Sequence, residues 1–343
     1  MNFTEFYNKE GNSILVRFRE FQPKDAAAIV NLIRDEYGDN YNTPEFYDKD
    51  KIIQRYNEGK VIFQVAELDT GKIVACLNIK RNFPRENYCG MGTGIVLKAY
   101  RKYRIFEPLA KYVMEKIHKL PNVSAIYVVL VMYQEITQHL FDRLGLTACG
   151  ITPSMVLADT FIHSYSKDDN QKLTFLFSVT NIAKFNVGKI YIPAEHKEIV
   201  QDIYDSLKTQ CEIETKAVEL SSKSVILVED DQVQQVCSIS IDEVGADLRD
   251  RIIEIESQRK QSLQTFNVFL NIKDEKAVAA YDTLKDMGYF FCGLKPLISN
   301  DREVMIMHNP KKVPIHFDTL LAIENYAPLR DYVKNCYESR CKS

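Results

Sequence analysis

The run Gly94–Lys119, GIVLKAYRKYRIFEPLAKYVMEKIHK, constrains the fold more than any other stretch of this chain. Gly94-Ile95-Val96-Leu97 is short and apolar, as the end of a buried strand is. Lys98 to Arg104 carries four positive charges (Lys98, Arg101, Lys102, Arg104) and no acid. From Phe106 onward, Leu109, Ala110, Val113, Ile117 and Leu120 recur at helical spacing, with Glu107, Lys111, Glu115 and Lys116 mostly between them. A strand feeding a helix through a basic turn is an anion site in outline. The first helical turn has N–H groups without intrahelical partners, and the helix dipole adds about half a positive charge there. Arg and Lys side chains can then close over a phosphate. The structural alternative is a surface turn before a core helix.

The chain has 343 residues, which predicts two domains rather than one core. A net charge of −3 argues against broad nucleic-acid or acidic-membrane binding, so the basic turn calls for a local partner. No apolar run approaches the roughly 20 residues of a membrane span, and the polar N-terminus MNFTEFYNKEGNS is not a signal peptide. Eight cysteines are scattered without a Cys-x-x-Cys pair, several of them (Cys76, Cys237, Cys292) in apolar strand-like runs. This reads as reduced thiols in a cytoplasmic protein. Six histidines show neither i, i+4 nor Cys/His ligand spacing, so no metal site is expected.

Along the first half, the order is a strand at Ile14–Phe18, then a helix over Ala26–Tyr37 that Asp25 could cap. A second helix runs from Thr43-Pro44-Glu45 to about Asn57. A hairpin follows, Val61–Leu68 and Ile73–Ile79 around Asp69–Lys72, and then a strand over Tyr88–Val96. That strand holds Gly90, Gly92 and Gly94, and glycine inside a strand signals a bulge or a close backbone approach. After the long helix come the strand Ala125–Met132, the helix Ile136–Leu144 and strand-like residues Leu146–Leu157. Ser164–Asn170 reads as a linker, and Leu173–Val179 as a strand of either side. The second half repeats the pattern: strand 189–192, a helix to about Leu207, a hairpin over Ser224–Glu229 and Val236–Ile241, then helix 246–259, strand 266–272 and helix 276–287. Two strand-like segments follow, and then a helix over Phe317–Cys341 interrupted by Pro328. Domain boundaries at residues 1–160 and 161–343 fit this repeat.

Val96-Leu97-Lys98-Ala99-Tyr100-Arg101-Lys102-Tyr103-Arg104-Ile105-Phe106 resembles motif A of the GNAT acyltransferase superfamily, Val-x-Pro-x-Tyr-Arg-Gly-x-Gly-Ile-Gly. Val96, Tyr100, Arg101 and Ile105 match. Lys98 stands for the Pro, and Lys102, Arg104 and Phe106 for the glycines. The substitution at Arg104 matters most, because Gly lets a phosphate approach the backbone; Arg104 either contacts the phosphates or blocks them. The element order over roughly residues 14–158 is also the GNAT order. Phe141-Asp142-Arg143-Leu144-Gly145-Leu146 and Tyr281–Tyr289 both resemble the family's Leu-Tyr-Glu-x-Leu-Gly-Phe ending. The resemblance implies an α/β (α+β) protein of two tandem GNAT-like domains, each a mixed, mostly antiparallel sheet flanked by helices. The second copy is degenerate, because Asp242, Glu243 and Asp247 stand where the phosphate loop should be and would repel a pyrophosphate.

The resemblance further implies an N-acetyltransferase with acetyl-CoA as co-substrate. Arg101, Lys102, Tyr103, Arg104, Ile105 and Phe106 would lie around the pyrophosphate, with Val96 and Leu97 offering backbone to the pantetheine arm. An amine must lose its proton, attack the thioester and have the leaving thiolate protonated. The family's acid is a Tyr where this chain has Phe141, so Tyr133 and His139 become the candidate catalytic groups. Tyr281 sits near the family position in the copy without a phosphate loop. Cys89 lacks a base at motif spacing and reads as a buried thiol. The aromatic residues Tyr7, Tyr37, Tyr41, Phe46 and Tyr47 fall near the family's acceptor side, although core packing explains them equally. The expected partner is a small-molecule or peptide amine, with no nucleic acid and no membrane, and a homodimer is compatible. Two rival readings stand: a non-catalytic acyl-CoA sensor or interaction protein, and an aminoacyl-tRNA-dependent transferase, which the negative charge disfavours.

Overall fold

In the computed structural model, which describes residues 2–81, 88–158, 172–221, 223–296, 302–310 and 313–340, packing divides the chain into two units. One runs up to Val128 and the other starts at Val129. The expected linker Ser164–Asn170 lies outside the described residues. Among the described residues no helix is long and apolar enough to cross a membrane.

The first unit opens with β1 (Thr4–Tyr7), a strand its polar composition did not suggest, paired with β2 (Ser13–Glu20). Helix α1 (Ala26–Tyr37) has the expected bounds. Asp25 precedes it but does not cap it, because its carboxylate is held by Arg19 at 2.6 and 2.9 Å and by the Gln22 N–H at 2.8 Å. The single helix expected from residue 43 is instead a 3-10 turn, Pro44–Tyr47, followed by α2 (Lys49–Asn57). Asp48 makes the break: it is extended, and its side chain accepts from the N–H groups of Asp50 and Lys51, a side-chain cap that starts a new helix.

The hairpin forms as read, with β3 (Val61–Leu68) and β4 (Ile73–Arg81), followed by β5 (Tyr88–Val96), α3 (Phe106–His118) and β6 (Ala125–Val131). The order within this unit is β1-β2-β3-β4-β5-β6, antiparallel except for the parallel β5–β6 pair. One face of the sheet, with Phe63, Val65, Cys76 and Ile95, buries the apolar stripe of α1 and α2 (Ile29, Leu32, Ile33, Ile52) together with Phe21 and Phe46. The opposite face takes α3 through its buried Leu109, Ala110, Val113 and Ile117. Burying side chains of this size contributes about 1.5–3 kcal/mol each.

The second unit contains α4 (Ile136–Arg143), β7 (Thr147–Leu157), β8 (Lys172–Asn181), β9 (Asn186–Tyr191), α5 (Lys197–Ser206), β10 (Gln210–Glu214), β11 (Val225–Asp231) and β12 (Val236–Glu243). It continues with α6 (Leu248–Arg259), β13 (Thr265–Asn271), α7 (Ala277–Asp286), β14 (Phe290–Lys295), β15 (Val304–Asn309) and α8 (Ala327–Ser339). The order is β8-β7-β14-β15-β13-β12-β11, again antiparallel except for one pair, β12–β13; β9 and β10 form a separate parallel pair. Pro328 does not interrupt the last helix but starts it, at a first-turn position where a missing N–H costs nothing. Both units are therefore mixed, mostly antiparallel sheets with helices packed on them. Within its main sheet each has one strand–helix–strand step among the described residues, β5–α3–β6 or β12–α6–β13, that makes a parallel pair; the second unit has a further one, β9–α5–β10, in its separate pair.

Candidate functional site

The parallel register of β5 with β6 runs from Tyr88↔Ala125 to Met91↔Val128. Beyond it, β5 continues to Val96 against β4. There the antiparallel register shifts: Gly92 faces Asn78, Ile95 faces Cys76, and Thr93 and Gly94 both oppose Leu77. This is a β-bulge, whose extra residue the ladder leaves unpaired. Thr93 has φ 50°, rare for a β-branched residue. It is held there by its hydroxyl, which accepts from Asn78 Nδ2 at 2.9 Å and lies 2.8 Å from the Tyr41 hydroxyl. Strain of about 1–3 kcal/mol at such a residue is characteristic of functional sites. Burial pushes the Tyr41 phenol up to about 12.

Past β5, Lys98–Tyr103 forms a 3-10 turn. Arg104 follows at φ 55°, ψ 32°, the left-handed conformation that favours glycine, and its N–H returns to the Arg101 carbonyl at 3.1 Å. Helix α3 begins directly behind it with no side-chain cap, so first-turn N–H groups face the basic turn. The four cations are not equivalent. Arg101 Nε donates to the Val96 carbonyl at 3.0 Å, and its other end pairs with Glu36. Lys102 lies 3.5 Å from Glu10. Among the described residues, Lys98 and Arg104 have neither ion pair nor side-chain hydrogen bond, and both are exposed. These are the cations free to meet an anion.

Phe106 covers Gly94: a Cβ built on that glycine would lie 2.6 Å from Phe106 Cζ and 3.3 Å from Leu77 Cδ1. The bulky residue at a motif glycine position is thus matched by a glycine on the strand. Ile105 is fully buried, and Tyr103 is half-buried beside Tyr100, with ring centroids 6.4 Å apart. The Val96 carbonyl is taken by Arg101, while Leu97 gives its N–H to the Val74 carbonyl at 2.9 Å and its carbonyl to Tyr100 N–H. The eight predicted cofactor residues therefore lie along one stretch of the first unit, from the end of β5 through the turn to the start of α3. Tyr133 and His139 belong to the second unit: Tyr133 is half-buried just past β6, and the His139 side chain on α4 is exposed. Gln138, next to His139, is fully enclosed and ties the start of α4 to the chain ahead of α8. Its amide donates to the carbonyls of Val131, Gln134 and Leu321 and accepts from Ile323 N–H. Cys89 is buried and pushed up to about 11 by desolvation, so it is no ready nucleophile.

Sequence reasoning did not single out Asn78, Thr93 or Lys80. The cluster of glycines at 90, 92 and 94 was the available signal, because each now has a side chain lying across its Cα.

Residues 26–146 match the family model described as the acetyltransferase (GNAT) family. No curated protein matches the chain. Solved structures similar to about half of it include a Vibrio cholerae spermidine N-acetyltransferase mutant (11% identity, TM-score 0.40, 49% of this chain and 94% of that one). A GNAT-family acetyltransferase from Streptococcus pneumoniae is similar at 16% identity and TM-score 0.39, over 48% and 99% of the two chains. The Escherichia coli ribosomal-protein-S18-alanine N-acetyltransferase is similar at 11% and 0.39, over 49% and 94%. Over residues 26–146, this chain carries a domain of the GNAT acetyltransferase family.

Proposed function

We propose that the chain is an N-acetyltransferase that moves an acetyl group from acetyl-CoA to an amine. The observation that supports it most is the left-handed basic turn at Arg104, which leads straight into the uncapped N-terminus of α3 behind a bulged β5. The pyrophosphate would sit on the α3 N-terminus, between Arg104 and Lys98, with Tyr103, Ile105 and Phe106 forming the turn's apolar side. Arg101 and Lys102 would shape the turn through Val96, Glu36 and Glu10. Backbone contact with the pantetheine arm and the thioester carbonyl would come from the bulge at Thr93-Gly94, because the Val96 carbonyl and both Leu97 groups are already bonded. Catalysis would rest on positioning and on polarisation of that carbonyl.

The domain from 161 to 343 would be a second copy without a cofactor. In that unit the β12–β13 register runs unbroken from Val236↔Thr265 to Ile241↔Leu270, and Asn271 Nδ2 adds a bond to the Asp242 carbonyl. The acids that replace the phosphate loop are used internally: Asp247 accepts from Ser224 N–H at 2.7 Å and Asp242 pairs with Arg302. A cytoplasmic location accords with the buried thiols. The non-catalytic, acyl-CoA-sensing reading is favoured by one observation, the Phe106 ring lying on Gly94.

The test is calorimetric binding of acetyl-CoA to the full chain, together with thiol release in the presence of a panel of amines. Binding with amine-dependent release is the expected result. Binding without release for any amine would leave only the sensor, and no binding would remove both readings.

A further inference from the structure

Asn78, on the α1/α2 face of β4, is fully enclosed. Its Nδ2 is bonded to Thr93, but its Oδ1 is buried and has no hydrogen-bond partner. An unsatisfied buried amide oxygen costs about 1–3 kcal/mol and calls for an explanation. The oxygen points at Gly92, the residue directly opposite on β5: a Cβ built on Gly92 would lie 3.4 Å from it. The same point lies 3.5 Å from Lys80 Cε and 3.7 Å from its Nζ. Lys80 is half-buried and, among the described residues, forms no ion pair or hydrogen bond. Burial and the neighbouring Arg55 both work against its charge, and Arg55 itself is paired with Glu45. Two unmet demands thus meet over one glycine: an oxygen that lacks an N–H and an ammonium that lacks an anion. A side chain at position 92 would occupy the space between them.

We propose that this is the acceptor subsite of the transferase and that it selects an amine carrying a carboxylate, as an α-amino acid does. This rests on the acetyltransferase reading above. Asn78 Oδ1 accepts an N–H of the amine and orients its lone pair, while Lys80 swings its flexible stem aside and holds the carboxylate. The ammonium first loses a proton to solvent. The nitrogen lone pair then forms the bond to the acyl carbon, the C–S bond breaks, and the remaining excess proton on nitrogen passes to the thiolate, which leaves as free thiol. A polyamine is disfavoured because its second ammonium would face Lys80 and Arg55.

The experiment compares kcat/KM of the full chain for matched pairs that differ only in the α-carboxylate, phenylalanine with phenethylamine and tyrosine with tyramine, and for spermidine. The wild type should favour the α-amino acid of each comparison at least tenfold. Lys80→Glu should reverse that preference, and Gly92→Ala should raise KM for the acid with the acetyl-CoA dissociation constant unchanged. A wild-type preference for the amines without a carboxylate, or a ratio that Lys80→Glu leaves unaltered, overturns this subsite while the transferase reading stands. If acetyl-CoA binds and no amine of either kind is acetylated, the transferase reading fails and takes the subsite with it.

Discussion

On the proposed function, Arg104 either holds the pyrophosphate or blocks it, and the two have opposite measurable signs. Its guanidinium is exposed, unpaired among the described residues, and placed one residue before the α3 N-cap. Its backbone is left-handed, which costs a non-glycine residue about 1–2 kcal/mol. Arg104→Gly removes that strain but adds about 0.5–1 kcal/mol of chain entropy to the unfolded state. The net effect is a stabilisation of up to about 1 kcal/mol, or about 2–4 °C in melting temperature. For binding, a unit charge pair at contact contributes about 1 kcal/mol in water and about 4 kcal/mol near a protein surface. An exposed turn lies toward the low end, so Arg104→Gly should weaken acetyl-CoA about tenfold, and Arg104→Glu, which replaces attraction by repulsion, about a hundredfold. Both losses should shrink at high salt. The assay is calorimetric titration beside thermal unfolding without ligand. Arg104→Gly should therefore melt higher and bind more weakly. Tighter binding by Arg104→Gly would mean that the side chain obstructs the phosphates, and unchanged binding would remove the turn as the site.

The contact of Phe106 with Gly94 predicts coupling between the two positions. Gly94→Ala should destabilise by about 1–3 kcal/mol through overpacking, and Phe106→Ala in the same chain should recover most of that loss; additive effects in denaturant melts would show that the ring moves freely. A pH dependence follows from His308, which is buried, gives its Nδ1 proton to Asn267 Oδ1 at 2.8 Å, and is pushed down to about 3 by burial. Its folded value lies below the unfolded 6.5. Its contribution is thus complete above pH 6.5 and is lost as pH falls toward 3, at up to about 1.4 kcal/mol per pH unit. His196, lowered to about 4 by burial between Tyr281 and Tyr332, adds a second slope over a shorter window. His308→Gln should flatten the denaturation midpoint between pH 6.5 and 5, and an unchanged slope would show that His308 is not the group titrating.

Where local signals and tertiary packing agreed, the elements were legible from the residues. Helix α1 has the bounds its apolar spacing predicts, and the Asp69–Lys72 turn joins β3 and β4 as expected. Errors arose where a side chain's partner lies far along the sequence. Asp25 reads as a cap, yet Arg19 claims its carboxylate, and Arg19 in turn shares Glu67 on β3 with Arg17. Nothing local announces that network, which holds Glu67 down to about 2. The basic turn was legible because its charges are contiguous, but which cation is free was not, since Glu36 and Glu10 lie 65 and 92 residues away. Asn78 was silent for the same reason: its meaning comes from the register that sets it opposite Gly92.

Packing divides this chain at a different place from the repeat that the sequence predicts. The repeat expected from the sequence would put a boundary near residue 160, whereas packing breaks the chain at Val128, inside β6. Helix α4 and β7 therefore gain their stability from the second unit, through Gln138 to Leu321 and Ile323 and through the Tyr326 hydroxyl to the Leu146 carbonyl. The strand–helix–strand steps diverge in the same spirit. β12 and β13 stay paired over six consecutive positions, and the acids beyond them cap local N–H groups. β5 instead leaves β6 after Met91 and bulges at Thr93, at a cost in strain. Both following helices, α3 and α6, start without a side-chain cap, so what sets the first step apart is the costlier strand geometry beside cations that are unpaired among the described residues. The strain at Thr93, the charges of Lys98 and Arg104, unpaired among the described residues, and the unmet Asn78 oxygen all fall in one unit, and on the proposed function an acyl donor would answer the charges and its amine the oxygen.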